Sequence, residues 1–326
     1  MRAIQVTRPG GPEVLEVVEL DLPEVTPGHV LVRVEAAGVN FIDTYQRSGL
    51  YPVDLPFVPG SEGAGEVVAV GEGVEGLAAG DAVGWAFTTG SYAEYVLLPA
   101  EDAYPLPGEI ELDMAAAVML QGMTAHYLVT SSHAVKPGDV VLVHAAAGGV
   151  GLLLTQLAAA RGATVIGTVG TEDKARIAQQ AGVHHVIRYD LMDDIATQLP
   201  QAVRRFSPAG ADAVYDGVGR ATFDGSLASL TRRGHLVLFG GASGPVPPVD
   251  PMRLMRAGSV MLSRPILRDF LATPEEREWR AGDILHGVLL GDITVRIDRG
   301  LALEEAADAH RALESRATSG KVLLHP

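Results

Sequence analysis

The sequence contains no cysteine, and this absence excludes several kinds of site. Without cysteine a chain forms no disulfide, has no thiolate nucleophile and builds no cysteine-rich zinc or iron–sulfur centre. The sequence also lacks a run of about 18 apolar residues, the length that a membrane-spanning helix needs. Its first residues lack the apolar stretch of a secretory signal. We therefore expect a cytoplasmic protein without a membrane partner.

Lysine and asparagine are scarce as well. Asn40 is the single asparagine, and only three of the 25 basic residues are lysines: Lys136, Lys174 and Lys321. Acidic residues outnumber basic ones by 40 to 25, which gives a formal net charge of −15. A chain this acidic repels polyphosphates as a whole, so nucleic acid is a poor candidate partner.

Apolar residues, in contrast, are abundant: 47% of the 326 residues are hydrophobic, enough for the cores of two domains. The first part of the chain predicts short strands separated by tight turns, at residues 2–6, 14–18, 30–37, 65–70, 82–85 and 92–98. One helical segment, residues 40–49, interrupts them. This pattern indicates a β-rich, barrel-like domain over residues 1–123.

The pattern changes at residue 140, where short apolar segments begin to alternate with helical ones. The predicted strands are residues 140–144, 164–168, 185–188, 213–216, 235–239 and 259–262. Such alternation is typical of a parallel sheet with helices on both faces, and six strands match the doubly wound dinucleotide fold. Beyond residue 264 the sequence predicts helices at 275–290 and 303–316 and a last strand at 321–324.

A glycine-rich turn joins the first of these strands to the helix that follows it. The turn consists of Ala147, Gly148, Gly149, Val150 and Gly151. Backbone N–H groups in such a turn can approach a pyrophosphate, whose charge then lies at the positive end of the helix. A glycine-rich stretch alone also fits a plain tight turn. The strand before it, the helix after it and the further strand–helix units favour dinucleotide binding.

The residues after the second strand bear on the choice of dinucleotide. NAD-specific folds place an acidic residue there, about 20 residues beyond the glycine motif, to bind the ribose 2′-hydroxyl. Here Gly170 and Thr171 follow the strand, and Thr171 resembles a helix cap. Lys174 lies on the same turn and Tyr189 follows the third strand, so a cation and a hydroxyl are available for a 2′-phosphate. These residues favour NADPH; the alternative is that Lys174 only pairs with nearby carboxylates.

Five segments together resemble the medium-chain dehydrogenase/reductase superfamily and, within it, the zinc-free quinone oxidoreductases related to zeta-crystallin. They are residues 36–43 (AAGVNFID), 59–65 (PGSEGAG), 144–151 (HAAAGGVG), 214–219 (VYDGVG) and 320–322 (GKV). The resemblance spans nearly the whole chain. It implies an α/β protein in which a doubly wound, six-stranded parallel Rossmann sheet, residues 124–263, is inserted into a GroES-like barrel domain formed by residues 1–123 and completed by 264–326.

Zinc alcohol dehydrogenases of the same superfamily are also similar to this chain, so the metal must be argued from the residues. Those relatives carry a cysteine in the segment matching residues 40–43 and a Gly-His-Glu where this chain has Gly60, Ser61 and Glu62. Catalytic zinc needs three ligands of the cysteine, histidine or carboxylate type. Without a Lewis acid, alcohol oxidation is hard to support, whereas hydride transfer to an electrophilic quinone or enone is not. We expect no metal.

The resemblance also implies roles for individual residues. Tyr45 and Tyr51 match positions that line the substrate cleft, and the positions matching NADPH contacts are Asn40, Thr124, Lys174, Tyr189, Phe239, Gly240 and Arg316. Arg316 has an alternative role as a solvated arginine on the last helical turn, and Phe239 as an ordinary core residue. Gly217 departs from a close relative, which has serine there.

The leading hypothesis is an NADPH:quinone oxidoreductase with Asn40, Tyr45 and Tyr51 as candidate catalytic residues. Asn40 and Tyr51 would orient the acceptor over the nicotinamide, although Asn40 also opens the predicted helix and can serve as its cap. The exposed sixth strand of the parallel sheet, together with the family resemblance, predicts a homodimer.

Two alternatives stay open. The first is an NADPH-dependent reductase of α,β-unsaturated ketones or aldehydes, with Tyr45 or Tyr51 as the proton donor. The second is a redox-sensing or RNA-binding protein that keeps the cofactor fold without turnover. The net charge of −15 and the lack of a basic stripe with interleaved aromatic residues argue against RNA.

Overall fold

The computed structural model describes every residue from Met1 to Pro326 and divides the chain into two compact units. The first unit combines both ends of the chain, Met1–Met123 and Thr273–Pro326, and the second is Thr124–Ala272. The chain returns to the first unit at Thr273 rather than at residue 264. Phe270 still belongs to the second unit, where its ring stacks on that of Tyr127 with 4.3 Å between centroids. No helix is long and apolar enough to cross a membrane.

Strands dominate the first part of the first unit. In chain order the elements are β1 Arg2–Gln5, β2 Glu16–Glu19, β3 His29–Val39, α1 Phe41–Arg47, β4 Glu62–Val70, β5 Ala82–Ala86, β6 Tyr95–Pro99, β7 Tyr104–Pro105 and α2 Leu112–Tyr127.

Strands and helices alternate through the second unit. They are β8 Val140–Val143, α3 Gly149–Ala160, β9 Thr164–Val169, α4 Glu172–Gln180, β10 His185–Arg188, α5 Ile195–Phe206, β11 Ala211–Asp216, α6 Phe223–Ser229, β12 Leu230–Leu238, α7 Met252–Arg256 and β13 Met261–Ser263. The returning chain adds α8 Pro274–Leu290, β14 Ile297–Ala302, α9 Ala306–Glu314 and β15 Lys321–His325 to the first unit.

One seven-stranded sheet organises the first unit. Its strand order is β14-β15-β3-β4-β5-β7, with β6 also paired to β3, while β1 and β2 form a separate hairpin-like pair. The last strand of the chain, β15, lies between β14 and β3, and Val322 is opposite Val39. This register brings Lys321 beside Asn40, the residue that follows β3, although the two are almost a whole chain length apart.

The second unit is the expected doubly wound fold. Its six strands are all parallel and lie in the order β10-β9-β8-β11-β12-β13, which is the strand order of dinucleotide-binding domains. The order reverses between β8 and β11. In open parallel sheets ligands bind at the carboxyl ends of the strands beside that reversal, so the residues after β8 and β11 are the ones to examine.

Several predicted elements need correction. The helix α2 was not expected, because every residue from 115 to 127 is buried and the segment therefore shows no alternation of apolar and polar faces. Strand β14 was also not expected. The sixth parallel strand begins at Met261 rather than at residue 259, since Ser259 has a left-handed φ of 55°. The last helix ends at Glu314, before the predicted limit of 316.

Candidate active site

The glycine-rich turn lies where β8 passes into α3. Ala145 has a left-handed φ of 50°, and Gly148 N donates to Ala145 O at 2.8 Å. A Cβ on Gly151 would lie 2.3 Å from the same carbonyl oxygen, so only glycine lets the helix approach the turn this closely. The first N–H groups of a helix have no partner within it. Those of α3, which begins at Gly149, are therefore placed to bind a phosphate.

A buried histidine fixes the end of the strand before this turn. His144 Nδ1 lies 3.0 Å from Thr168 Oγ1, and Nε2 lies 2.9 Å from Ser226 Oγ. The Ser226 hydroxyl donates to Asp216 Oδ2 at 2.7 Å, so Nε2 of His144 must be the donor and Nδ1 the acceptor. Burial lowers the pKa of His144, which favours this neutral form. The network ties the ends of β8, β9 and β11 to α6.

A close backbone approach explains Gly217. Its Cβ, if present, would lie 2.9 Å from the ring of Phe239, and a Cβ on Gly240 would lie 2.5 Å from Gly217 O. A serine at position 217 would push the Phe239 ring aside. Phe239 is half-buried and follows the end of β12, so it is not an ordinary core residue. Phe239 and Gly240 therefore lie just beyond the carboxyl end of β12.

The end of β9 carries the residues expected at the 2′-phosphate. Thr171 caps α4, with its hydroxyl oxygen accepting from Lys174 N at 3.2 Å. The Tyr189 hydroxyl lies 3.0 Å from the position that a Cβ on Gly170 would occupy, so the tyrosine packs directly on the turn. Glu172, the first acidic residue after the strand, is bound by Arg188 at 2.6 Å.

A second cluster lies in the first unit and is built around Asn40. The Asn40 side chain does not cap α1; instead Asp43 Oδ2 accepts from Asn40 N at 2.8 Å. Asn40 Nδ2 donates to Glu62 Oε2 at 2.8 Å and to Gly38 O at 3.1 Å. Asn40 is thus the N-cap residue of α1 without a capping hydrogen bond from its side chain, and its amide is directed into the protein interior.

Two further residues complete the cluster, and the sequence did not single out either of them as a site residue. Asn40 Oδ1 accepts from Lys321 Nζ at 2.9 Å and from Gln121 Nε2 at 3.1 Å. Lys321 also forms an ion pair with Glu62, and these two side chains are 1% and 0% exposed. Glu62 Oε1 accepts from Leu120 N at 2.7 Å. Burial lowers the pKa of Lys321, and the attraction of Glu62 opposes that shift. The rarity of lysine in this chain was the sequence feature that could have pointed to Lys321.

Asp43 ends a directed chain of hydrogen bonds. Arg47 can only donate, so His310 Nδ1, 3.1 Å from Arg47 Nη1, is the acceptor. The opposite nitrogen, Nε2, then donates to Tyr92 OH at 3.1 Å, and Tyr92 donates to Asp43 Oδ2 at 3.1 Å. Ser61 donates to the other carboxylate oxygen at 3.1 Å. Burial raises the pKa of Asp43 to about 6. Burial and Arg47 lower the pKa of His310 to about 3.

The predicted substrate-cleft tyrosines form a pair. The rings of Tyr45 and Tyr51 meet edge to face with 5.2 Å between centroids, and Tyr51 N donates to Tyr45 O at 3.0 Å. Both side chains are half-buried. Tyr45 lies on α1, the helix that Asn40 precedes, but neither tyrosine is among the hydrogen-bond partners of Asn40.

The remaining predicted cofactor residues lie in different units. Thr124 is buried on α2 and belongs to the second unit. Arg316 is exposed in the first unit and lies beyond the end of α9, with a left-handed φ of 59°. It lies two residues past the last residue of α9, and its N–H donates to Leu313 O at 3.0 Å.

The residues around Glu62 do not fit a zinc ion. Nowhere in the chain do three histidine, cysteine, aspartate or glutamate side chains come together as metal ligands. The Glu62 carboxylate forms an ion pair with the Lys321 ammonium, and the Ser61 hydroxyl donates its hydrogen bond to Asp43. An amide, an ammonium and a hydroxyl donor are not the imidazole, thiolate and carboxylate set that binds catalytic zinc.

Comparisons with known proteins agree with this architecture. Residues 26–108 match the family model "Alcohol dehydrogenase GroES-like domain", and residues 149–279 match "Zinc-binding dehydrogenase". A quinone oxidoreductase of Pseudomonas aeruginosa is 42% identical over 327 residues, covering 100% of this chain and 99% of its own. A 2-haloacrylate reductase of a Burkholderia species is 37% identical, covering 99% and 98%.

A solved structure gives the same result in three dimensions. The crystal structure of Escherichia coli quinone oxidoreductase complexed with NADPH superposes with a TM-score of 0.96 at 40% identity, and 100% of each chain is covered. The likeness thus extends over both units, including the glycine-rich turn and the segments around Asn40 and Glu62. This chain belongs to the quinone oxidoreductase family of oxidoreductases, within the medium-chain dehydrogenase/reductase superfamily.

Proposed function

We propose that this protein is an NADPH-dependent reductase that transfers a hydride to a quinone without using zinc. The observation that carries the proposal is the polar cluster around Glu62, whose side chains do not fit a metal, in a chain that also has a dinucleotide turn. A quinone is electrophilic by itself and needs no Lewis acid to accept a hydride. The names of the relatives, quinone oxidoreductases, support the same substrate class.

The proposed cofactor site follows the geometry of the second unit. When bound, NADPH supplies the hydride. Its pyrophosphate would lie on the turn and on the first N–H groups of α3. The proposed contacts in this unit are Thr124, Ala147, Gly148, Gly149, Val150, Gly170, Thr171, Lys174, Tyr189, Phe239 and Gly240. The family resemblance extends the proposal to Arg316 and Asn40 in the first unit, although a contact from Asn40 would not be a hydrogen bond of its side-chain amide, whose four bonds lie within the protein.

The preference for NADPH rests on the end of β9. The carboxylate of Glu172 is engaged by Arg188, so it is a poor partner for a ribose hydroxyl. The Tyr189 hydroxyl packs on Gly170, and Lys174 lies on the first turn of α4. A 2′-phosphate would receive hydrogen bonds from both, and the bond from lysine would be charge-assisted. The NADPH complex of the E. coli relative supports this choice.

For the acceptor, we propose Tyr45 and Tyr51 as the contact residues. Asn40 would act indirectly, without a hydrogen bond to the acceptor. The Asn40 amide makes four hydrogen bonds within the protein, which is its full capacity. It therefore has no remaining hydrogen bond for a carbonyl oxygen. The half-buried tyrosine pair presents aromatic surface suited to a flat quinone ring.

A reductase of electron-poor alkenes is the second candidate. It is favoured by the similarity to the 2-haloacrylate reductase and by the presence of two phenols that can serve as proton donors. Reduction of a carbon–carbon double bond needs a proton on carbon, whereas the oxygens of a reduced quinone take protons from water.

We also propose that the protein is a homodimer. Strand β13 pairs only with β12, so the parallel sheet ends in an unpaired edge. Met261, on that edge, is 54% exposed, and nearby Met252 and Met255 on α7 are exposed as well. Pairing two such edges across a two-fold axis would satisfy the backbone groups and cover the apolar side chains.

Replacing Tyr51 with phenylalanine distinguishes the two candidate reactions. With NADPH as the donor, we expect kcat/KM for 1,2- and 1,4-quinones to change little, since the ring and its packing remain. For an enone reductase that uses this phenol as its acid, the same change would lower kcat/KM by roughly 10²-fold. The unmutated protein and the variant are both assayed with a panel of quinones and enones. If quinone turnover is poor and the substitution selectively lowers enone turnover, the second candidate replaces our proposal.

Chelation tests the proposed independence from zinc. We expect the activity to survive prolonged dialysis against a strong chelator, because the side chains around Glu62 supply no ligand set for zinc. A zinc alcohol dehydrogenase treated in parallel serves as the positive control for metal removal. Stoichiometric zinc in elemental analysis, lost together with activity, is the contrary result.

The Lys174→Ala substitution tests the cofactor assignment. A charge-assisted hydrogen bond contributes about 1.5–3 kcal/mol, so we expect Kd for NADPH to rise about tenfold or more while Kd for NADH stays unchanged. Lys136→Ala is the matched control, because Lys136 is an exposed lysine of the same unit. Equal use of NADPH and NADH by the unmutated protein would refute the assignment.

Light scattering at native ionic strength tests the dimer. We expect a mass of twice the chain's 34.2 kDa. The Met261→Asp substitution should shift the distribution toward the monomer, because it places a charge on each of two facing strands. A single-chain mass for the unmutated protein in dilute solution would contradict the proposal.

A further inference from the structure

The buried ion pair of Lys321 and Glu62 has no assigned role in the proposed reaction. The two side chains are 1% and 0% exposed, and each charge also reaches the amide of Asn40. A buried ion pair is a weak source of stability, because apolar residues of similar volume in the same place often stabilise a fold equally well. What the pair does to Asn40 is more specific.

These two charges and the carbonyl of Gly38 set the directions of the hydrogen bonds around Asn40. An ammonium only donates and a carboxylate only accepts. Lys321 therefore requires Oδ1 on its side of the amide, and Glu62 requires Nδ2 on the other. A rotation of the amide by half a turn would place like groups against each other at both positions. The ion pair thus favours one of two amide orientations, the same one that the bond to Gly38 O requires.

The orientation of the Asn40 amide in turn sets the orientation of the Gln121 amide. Because Asn40 Oδ1 is fixed as an acceptor, the Gln121 amide must turn its Nε2 toward it, at 3.1 Å. The other end, Gln121 Oε1, is then left buried with no hydrogen-bond partner in the protein. A buried acceptor without a partner is costly, and here its position is set by Lys321 through two amides.

We infer that Lys321 is a positioning residue: its ammonium, paired with Glu62, orients the Asn40 amide and through it presents Gln121 Oε1 as one fixed hydrogen-bond acceptor. A single acceptor of this kind can take an O–H or N–H donor but not the carbonyl oxygen of a quinone. The kinetic part of the inference rests on the proposed function, and the structural part does not.

The single asparagine makes a direct test possible. In protein labelled only with ¹⁵N-asparagine, one side-chain NH₂ pair appears in the spectrum, that of Asn40. Both protons are bonded in the structure, to Glu62 and to Gly38 O. We expect them to exchange with solvent about tenfold or more slowly than in free asparagine. Exchange at the free rate in the unmutated protein would overturn the inference without any variant.

Variants then assign the orientation to Lys321. Lys321→Met alone leaves Glu62 buried and unpaired, so it is expected to lower Tm strongly. The double variant Glu62→Gln with Lys321→Met removes both charges and is expected to recover most of that loss. In the folded double variant the amide keeps its bond to Gly38 O but loses both charged partners, and its protection should fall about tenfold. Full protection in this variant, with one NH₂ pair unchanged, would show that Lys321 does not orient Asn40.

Kinetics give an independent readout with any acceptor that the unmutated protein reduces, quinone or enone. We expect the double variant to lose about tenfold in kcat/KM for the acceptor while Kd for NADPH is unchanged. Gln121→Met should cause a similar loss in the unmutated background and little further loss in the double variant, because both changes remove the same acceptor. Additive losses, or a double variant with unmutated kcat/KM, would overturn the inference. If no acceptor is reduced at all, the proposed function fails, and the exchange measurement still tests the inference about Lys321.

Discussion

The pairing of Lys321 with Glu62 is the constraint on which the first unit depends. Lys321 begins β15, the last strand of the chain, and Glu62 begins β4. Because two full charges with almost no exposure are stable only together, the C-terminal strand has to reach the interior next to β3 for this unit to be complete. The N-terminal segment alone would leave Glu62 buried without Lys321 and β3 without β15, so both ends of the chain complete the first unit and the second unit is inserted between them.

The same pairing changes the chemistry available at this place. A zinc ion polarises a bound oxygen, and it requires anionic or imidazole ligands. Here Glu62 neutralises the Lys321 ammonium, which also donates a hydrogen bond to the Asn40 amide. In the function that we propose, such a cluster orients polar groups rather than activating an alcohol. It suits a reaction in which the acceptor is electrophilic from the start, and in which the protein's main tasks are to hold two planar reactants and to control where protons enter.

The second unit shows a parallel use of a neutral polar network. His144 is held in one tautomer between Thr168 and Ser226, and Asp216 terminates the chain of donors. This network joins the carboxyl ends of three strands at the reversal of strand order, where the turn before α3 would meet a pyrophosphate. In both units, buried groups that can hold a charge are surrounded by donors and acceptors whose directions leave one arrangement only. Rigid positioning follows from that uniqueness.

Much of this protein was determined by its sequence alone. The strand–helix alternation after residue 140, the glycine turn and the lack of cysteine depend on local periodicity and on residue chemistry, and they predicted the parallel sheet and the cofactor turn. The helix α2 was not predicted, because burial on all sides removes the periodicity that marks a helix. Gln121, which lies on this helix, was missed for the same reason. The sequence also singled out Asn40 but not its partners. Lys321 lies 281 positions away from it, and only the pairing of β15 with β3 brings the two together. Hydrogen-bond partners joined by strand pairing across a chain leave no local pattern, so the tertiary structure alone decided what Asn40 binds.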